Sequence, residues 1–181
     1  LLCVLSLIFS ITLVIRFTCT PFYRCHIYSM EHILDESTPQ LLAIDDIRRV
    51  TISYKDVLKL LQQLTSAPMI QKQEYLEIIS QLGQNHFIFV LTLNDKPIGM
   101  ITLFIEQKII HRGGKVGHIE DVVVDKEHRG KGYSTQLIDH AITIAKHYQC
   151  YKCILNCTDQ VKPVYEKNGF IHKTNGMSLY F

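Results

Sequence analysis

Hydrophobic and polar positions change rhythm several times along this chain, and each change marks an element. Over residues 54–64 the apolar side chains Val57, Leu58, Leu60, Leu61 and Leu64 fall at helical spacing, and Thr65-Ser66-Ala67-Pro68 stops the pattern. A second helix is expected over residues 71–82, closed by Gly83. The pattern then turns to β. Residues 87–93 and 97–106 are runs of β-branched and aromatic side chains joined through Asn94-Asp95, the mark of a hairpin. After a polar Arg112-Gly113-Gly114-Lys115 connection, residues 117–124 read as the central strand. A helix over 133–148 gathers Leu137, Ile138, Ala141, Ile144 and Ala145 on one face. A strand over 151–157, a short helix over 161–168 and a last strand near 177–181 finish the chain, and Ile47-Arg48-Arg49-Val50 reads as a short first strand. Strands interspersed with helices around a hairpin-rich centre predict an α/β fold with a mixed three-layer sheet.

The beginning of the chain departs from this rhythm. Of the first 15 residues 12 are apolar, and the first charge is Arg16. That is short of the roughly 20 residues that span a bilayer, yet long enough for a signal-peptide core or a short anchor. The chain starts at Leu1 and its first methionine is Met30, so the stretch also reads as one outside the working protein. We therefore expect a leader and linker over 1–40 and one domain over 41–181, within the size range of a single core. Membrane contact is expected through residues 1–15 alone.

Composition narrows the partners. A formal charge of +2 gives no reason to expect nucleic acid. The six cysteines point to a reducing compartment, so the cytoplasm is expected, with membrane association if the leader serves as an anchor. Cys150-x-x-Cys153 invites a metal or redox reading, but on a strand residues three apart face opposite ways, and no second such pair completes four ligands. Free thiols and no metal site are expected. Asn156-Cys157-Thr158 fits a glycosylation sequon, which matters only in the secretory pathway.

The chemistry concentrates between His118 and Ser134. A strand carrying Glu120, Asp121, Val122, Val123 and Val124 breaks at Arg129-Gly130-Lys131-Gly132-Tyr133-Ser134, and a helix follows. The first amides of a helix lack intrahelical partners and carry the positive end of its dipole. Glycines beside them let several N–H groups converge, so a phosphate-bearing ligand is expected here. A Walker A loop fails, because Lys131 is followed by Gly132 and lacks the upstream glycine. A dinucleotide fingerprint fails at Thr135.

This arrangement resembles the acetyl-CoA site of the GNAT superfamily of N-acetyltransferases, whose pyrophosphate loop reads [Q/R]-x-x-G-x-[G/A]; Arg129, Gly132 and Ser134 fill those positions. Within the superfamily the chain is similar to the glucosamine 6-phosphate N-acetyltransferases. The resemblance rests on Lys108-Ile109-Ile110-His111, Gly117-His118-Ile119-Glu120-Asp121, Cys150-Tyr151-Lys152 and Tyr165-Glu166-Lys167-x-Gly169-Phe170, and covers roughly residue 47 to the end. It implies a GNAT fold and transfer of acetyl from acetyl-CoA to the amine of glucosamine 6-phosphate, a step toward UDP-N-acetylglucosamine. It also implies direct attack in a ternary complex and a homodimer whose sites borrow residues from the partner.

Roles follow from the same resemblance. Glu120 and Asp121 lie at the reacting centre, Glu120 holding the sugar and assisting deprotonation; as strand neighbours, only one can face a given point. Tyr165 faces the CoA sulfur. Val122, Val123 and Val124 offer backbone groups to the pantetheine arm, and Arg129, Gly130, Lys131, Gly132, Tyr133, Ser134 and Thr135 cradle the diphosphate. Thr65, Lys108, Ile109, Ile110, His111, Tyr151, Lys152 and Asn156 are implied for the sugar. Four positions depart from the family: Asn156 stands where it has an acid, Val161 where it has Asn, Ser134 where it has Gly or Ala, and Tyr180 where an Arg grips the sugar phosphate. Tyr has no guanidinium fork, which keeps two alternatives in view: an acetyltransferase of another small amine, and an inactive, membrane-tethered CoA-binding module.

Overall fold

The structure, a computed structural model, describes residues 40–43, 52–173 and 175–181. Five strands form one sheet in chain order: β1 (Gln40–Ala43), β2 (His86–Leu93), β3 (Lys96–Gln107), β4 (Lys115–Val124) and β5 (Cys150–Ile154). The first three pairings are antiparallel and β4 pairs with β5 in parallel, so the sheet is mixed, as expected. Helices α1 (Tyr54–Leu61) and α2 (Lys72–Ser80) precede β2, a short turn α3 (Ile110–Gly113) joins β3 to β4, and α4 (Tyr133–His147) and α5 (Lys162–Lys167) flank β5 in sequence.

Local chemistry explains the joints. At the β2–β3 hairpin Asn94 and Asp95 take φ of 50° and 58°. Left-handed geometry at both central residues matches the twist of the flanking strands, and Asn and Asp tolerate it best after glycine. The connection read from sequence as polar loop is instead the turn α3, in which His111 and Arg112 adopt φ of 54° and 56°. The first helix ends at Leu61 rather than at 64, because Gln63 and Leu64 donate to the carbonyls of Leu60 and Leu61 and tighten the last turn.

Two cores lie on the two faces of the sheet. On one, Leu91, Ile101, Leu103, Ile105 and Ile119 pack against Leu137, Ile138, Ala141 and Ala145 of α4. On the other, Val90, Met100 and Val123 pack against Val57 and Leu60 of α1. Leu137 and Ile138 are fully buried, and each contributes roughly 2 kcal/mol through removal from water. They seat the helix whose amino end carries the glycine loop.

The two cores reveal an irregularity in β4. Ile119 and Val123 are an even number of residues apart, so an ideal strand would place them on one face; they lie on opposite faces. Met100 pairs with Val123 and Thr102 with Glu120, so two steps on β3 oppose three on β4. The extra residue is a bulge, and Asp121 within it takes φ of 51°.

Two expectations fall differently. The strand Ile47-Arg48-Arg49-Val50 and residues 1–15 lie outside the described residues. The last strand near 177–181 does not form: the sheet ends at β5, and Met177, Leu179, Tyr180 and Phe181 are all exposed. No helix among the described residues is long and apolar enough to cross a membrane.

Candidate active site

The sheet opens where the glycine loop begins. β4 runs to Val124, but its parallel pairing with β5 stops at His118 opposite Ile154. Val122, Val123 and Val124 therefore present one backbone edge to a gap rather than to a neighbouring strand. An extended ligand with amide groups can bond there as an added strand. Their side chains are part of the cores, Val123 on the α1 face and Val122 and Val124 on the α4 face.

The loop after β4 is braced at both ends. Asp125 caps a 3-10 turn over Lys126–His128, its Oδ1 accepting from the Glu127 amide at 2.9 Å. Arg129 Nε donates to the Val124 carbonyl at 3.0 Å, folding the loop back on the strand that precedes it. Gly130 and Gly132 then take φ of 76° and 83°, and a Cβ at either would meet open space. The glycines are needed for backbone conformation, not for room. Gly132 is the N-cap of α4, so the amides of Tyr133, Ser134 and Thr135 point out of the helix beside exposed Lys131. Converging N–H groups, a helix dipole and a lysine match the charge and shape of a diphosphate.

The bulge alters the expectation for the carboxylates. Thr102 pairs with Glu120, so their side chains share a face, and Thr102 Oγ1 donates to Asp121 Oδ2 at 3.2 Å. Glu120 and Asp121 therefore stand on the same side of the sheet, where an unbulged strand would separate them. Both are exposed. Asp121 is tied to Thr102, whereas no hydrogen bond to the Glu120 carboxylate is found among the described residues. Tyr165, on α5, is half-buried with its ring edge-on to Phe170 at 6.2 Å. Burial pushes its phenol above the ordinary range, and the neighbouring Cys157 and the Glu120 carboxylate add to the shift. Tyr165 thus lies within electrostatic reach of Glu120 and stays protonated at neutral pH.

The residues implied for the sugar divide into two groups. Thr65 is exposed on the turn after α1, which reaches the carboxyl end of β4 because Gln63 bonds to Asp125. Lys108, Ile109, Ile110 and His111 lie at the other end of β4, where the Lys108 amide donates to Gly114 O and the His111 ring meets Tyr151 at 4.5 Å. Lys152 lies 5.7 Å from the Tyr151 ring centroid. The length of β4 separates the two groups: nine rises of about 3.3 Å, or roughly 30 Å. Tyr151, Lys152, Asn156 and Tyr165 line a cleft of about 1030 Å³ that also takes in Met177 of the C-terminal segment. Tyr180, at the position implied for the phosphate-gripping arginine, is 91% exposed.

Sequence reasoning passed over several residues. Thr102 gives no sign in sequence of holding Asp121, since the bulge that joins them is a pairing event. Gln63 bridges to Asp125 and Lys126 across more than sixty residues, with no local signature. Asp125-Lys126-Glu127 could have been found as a capping pattern. Glu106 was also missed; it accepts from His118 Nε2 at 2.8 Å and from Lys108 Nζ, and these two hydrogen bonds hold its carboxyl below the usual range. The cysteines correct another expectation. Lys115 pairs with Cys150 and Val116 with Lys152, so β5 also carries a bulge, and both Cys150 and Cys153 pack against the α4-side core. Burial, followed by the neighbouring Cys150, pushes the Cys153 thiol up to about 11. Both thiols are free, and no group of three or more metal-ligating side chains occurs among the described residues.

Comparison with known proteins places this geometry. The model of the acetyltransferase (GNAT) family matches residues 54–170. The chain is 38% identical, over 75% of its length and 87% of the relative's, to a probable glucosamine 6-phosphate N-acetyltransferase 2 of Oryza sativa subsp. japonica. It is 37% identical, over 75% of its length and 95% of the relative's, to glucosamine 6-phosphate N-acetyltransferase of Arabidopsis thaliana. The crystal structure of glucosamine-6-phosphate N-acetyltransferase from Arabidopsis thaliana superposes with a TM-score of 0.70 at 32% identity, covering 80% of this chain and 99% of that one.

Proposed function

The chain belongs to the GNAT acetyltransferase family, among the glucosamine 6-phosphate N-acetyltransferases, and from that premise we propose how its residues move acetyl from acetyl-CoA to the amine of glucosamine 6-phosphate. The catalytic unit is residues 41–181. The observation that carries the reading is the opening of the sheet at Ile119–Val124, flanked by Glu120 and Asp121 on one face and followed directly by the glycine loop.

Acetyl-CoA lies with its diphosphate against Arg129, Gly130, Lys131, Gly132, Tyr133, Ser134 and Thr135, and its pantetheine arm along Val122, Val123 and Val124. A backbone N–H of that edge donates to the thioester oxygen as negative charge develops there. The sugar amine attacks the carbonyl carbon, the N–C bond forms and the C–S bond breaks. Glu120, directly or through one water, takes the proton the amine loses. Asp121, held by Thr102, supports Glu120 by position. Tyr165 donates a hydrogen bond to the departing thiolate, a role for which its protonated phenol is suited. CoA departs as a thiolate hydrogen-bonded by Tyr165 and takes a proton from solvent, to which Glu120 releases the one the amine lost, so the step is balanced.

The acceptor site is shared between two copies of the chain. The placement of Thr65 and the group of Lys108, Ile109, Ile110, His111, Tyr151 and Lys152 toward opposite ends of β4 supports this. A twofold dimer lets that group of one copy meet Glu120 and Thr65 of the other. Lys108, His111 and Lys152 then supply charge-assisted donors for the sugar phosphate where Tyr180 has none, and Asn156 lines the same cleft as Lys152. A second reading, acetylation of another small amine, draws on the exposed Tyr180.

CoA release from acetyl-CoA, measured with glucosamine 6-phosphate and with unphosphorylated glucosamine at equal concentration, separates the two. Strong preference for the phosphorylated sugar is expected. Release with neither sugar, despite acetyl-CoA binding, would reject the assignment.

A further inference from the structure

We propose that Gln63 is a positioning residue that holds the acceptor-side turn carrying Thr65 in register with the pyrophosphate loop. The inference rests on the function proposed above and adds to it a coupling between the two substrates.

Gln63 lies in the turn after α1 and spans two consecutive residues of the loop. Its Nε2 donates to Asp125 Oδ2 at 2.7 Å, and its Oε1 accepts from the Lys126 amide at 2.9 Å. Only this orientation of the side-chain amide satisfies both partners; the flipped one sets oxygen against carboxylate and N–H against N–H. Asp125 is itself fixed. Its amide donates to Ile98 O at 2.8 Å, and its Oδ1 accepts from the Glu127 amide and faces His128 Nδ1 at 3.4 Å. Burial raises this carboxyl, but the bonds from Gln63, Glu127 and His128 outweigh it and hold it below the ordinary range. The bracket therefore joins the turn after α1 to the first two residues of the loop by two bonds, one of them charge-assisted.

Thr65 follows two residues later, its amide donating to Leu61 O at 3.1 Å. Loop and turn thus move as one body. A CoA diphosphate that orders the loop also orders the turn that meets the sugar. By linkage the sugar must strengthen CoA binding by the same factor.

The test is CoA affinity of the full chain by calorimetry, with and without saturating glucosamine 6-phosphate. In the unaltered chain the sugar phosphate should tighten CoA by about fivefold or more. Gln63→Leu, which removes both bonds, should bring the ratio within about twofold of one. Gln63→Glu keeps an acceptor for the Lys126 amide but sets a carboxylate against Asp125, and it should abolish the coupling too, which keeps the test decisive if Gln63→Leu does not fold. Absence of coupling in the unaltered chain, or its persistence in either variant, overturns the proposal. Turnover of glucosamine 6-phosphate by the unaltered chain, measured alongside, shows separately whether the functional reading has failed.

Discussion

The donor side and the acceptor side of this site are built on opposite plans. Apart from Tyr165, everything proposed to hold acetyl-CoA comes from one run of the chain, Val122 to Thr135, which passes from strand through glycine loop to helix. Many of its contacts are to neighbours a few residues away, Arg129 on Val124, Asp125 on Glu127 and Gly132 capping α4, with Gln63 as a distant brace. The acceptor side, as proposed, is gathered from four separate stretches around Thr65, Lys108, Tyr151 and Asn156. Within one chain Thr65 lies by the carboxyl end of β4 and Lys108 and Tyr151 toward its start, with Asn156 beyond the end of β5, and residues 175–181 have no regular structure. A local plan is complete in a single chain. A dispersed plan lets substrate choice depend on assembly.

The carboxylate at the junction of the two sides should be the most sensitive point. Glu120→Ala is expected to lower kcat by about a hundredfold or more, the range of a lost proton acceptor, while acetyl-CoA affinity stays within about twofold. Steady-state rates and calorimetry on the same preparation check this; a fall confined to KM for acetyl-CoA would place Glu120 on the donor side instead. Gly132→Ala attacks the donor side alone. A side chain at φ of 83° carries strain of about 1–2 kcal/mol, so acetyl-CoA should bind roughly tenfold more weakly with KM for the sugar unmoved. Tyr165→Phe removes one hydrogen bond to the leaving thiolate and should lower kcat by about fivefold.

The smallest effect concerns folding. The Cys153 thiol is raised in the folded chain to about 11 from an ordinary 9.0, chiefly by burial. Stability from keeping it neutral is present in full below pH 9 and is lost as pH rises toward 11. Denaturant midpoints measured across that interval should fall, and Cys153→Ala should lose less over the same interval than the unaltered chain.

The same contrast governs what the sequence could disclose. Hairpin, central strand, glycine loop and α4 were legible because each follows from adjacent residues: Asn94-Asp95 between two β runs, Gly130-x-Gly132 before a helical stripe. The two bulges were not. Nothing around Asp121 announces the extra residue that turns it toward Thr102, and nothing around Cys150-x-x-Cys153 announces that both thiols face one core. A bulge is a relation between two strands, so it becomes visible only once they pair. The bracket from Gln63 to Asp125 was hidden for the same reason. The last strand was overread: Met177-Ser178-Leu179-Tyr180-Phe181 has a strand's composition but pairs with no strand of the sheet.

The most direct test mixes two crippled chains. Glu120→Ala lacks the reacting carboxylate, and a Tyr151→Ala, Lys152→Ala double variant lacks the contribution assigned to the second copy. Each alone should be nearly inactive with glucosamine 6-phosphate. After subunit exchange in equal amounts, one site in four combines an intact Glu120 with an intact Tyr151 and Lys152 from the other chain, so about a quarter of the unaltered activity should return. If the mixture is no more active than its two components, the acceptor site belongs to a single chain and the division proposed here is wrong.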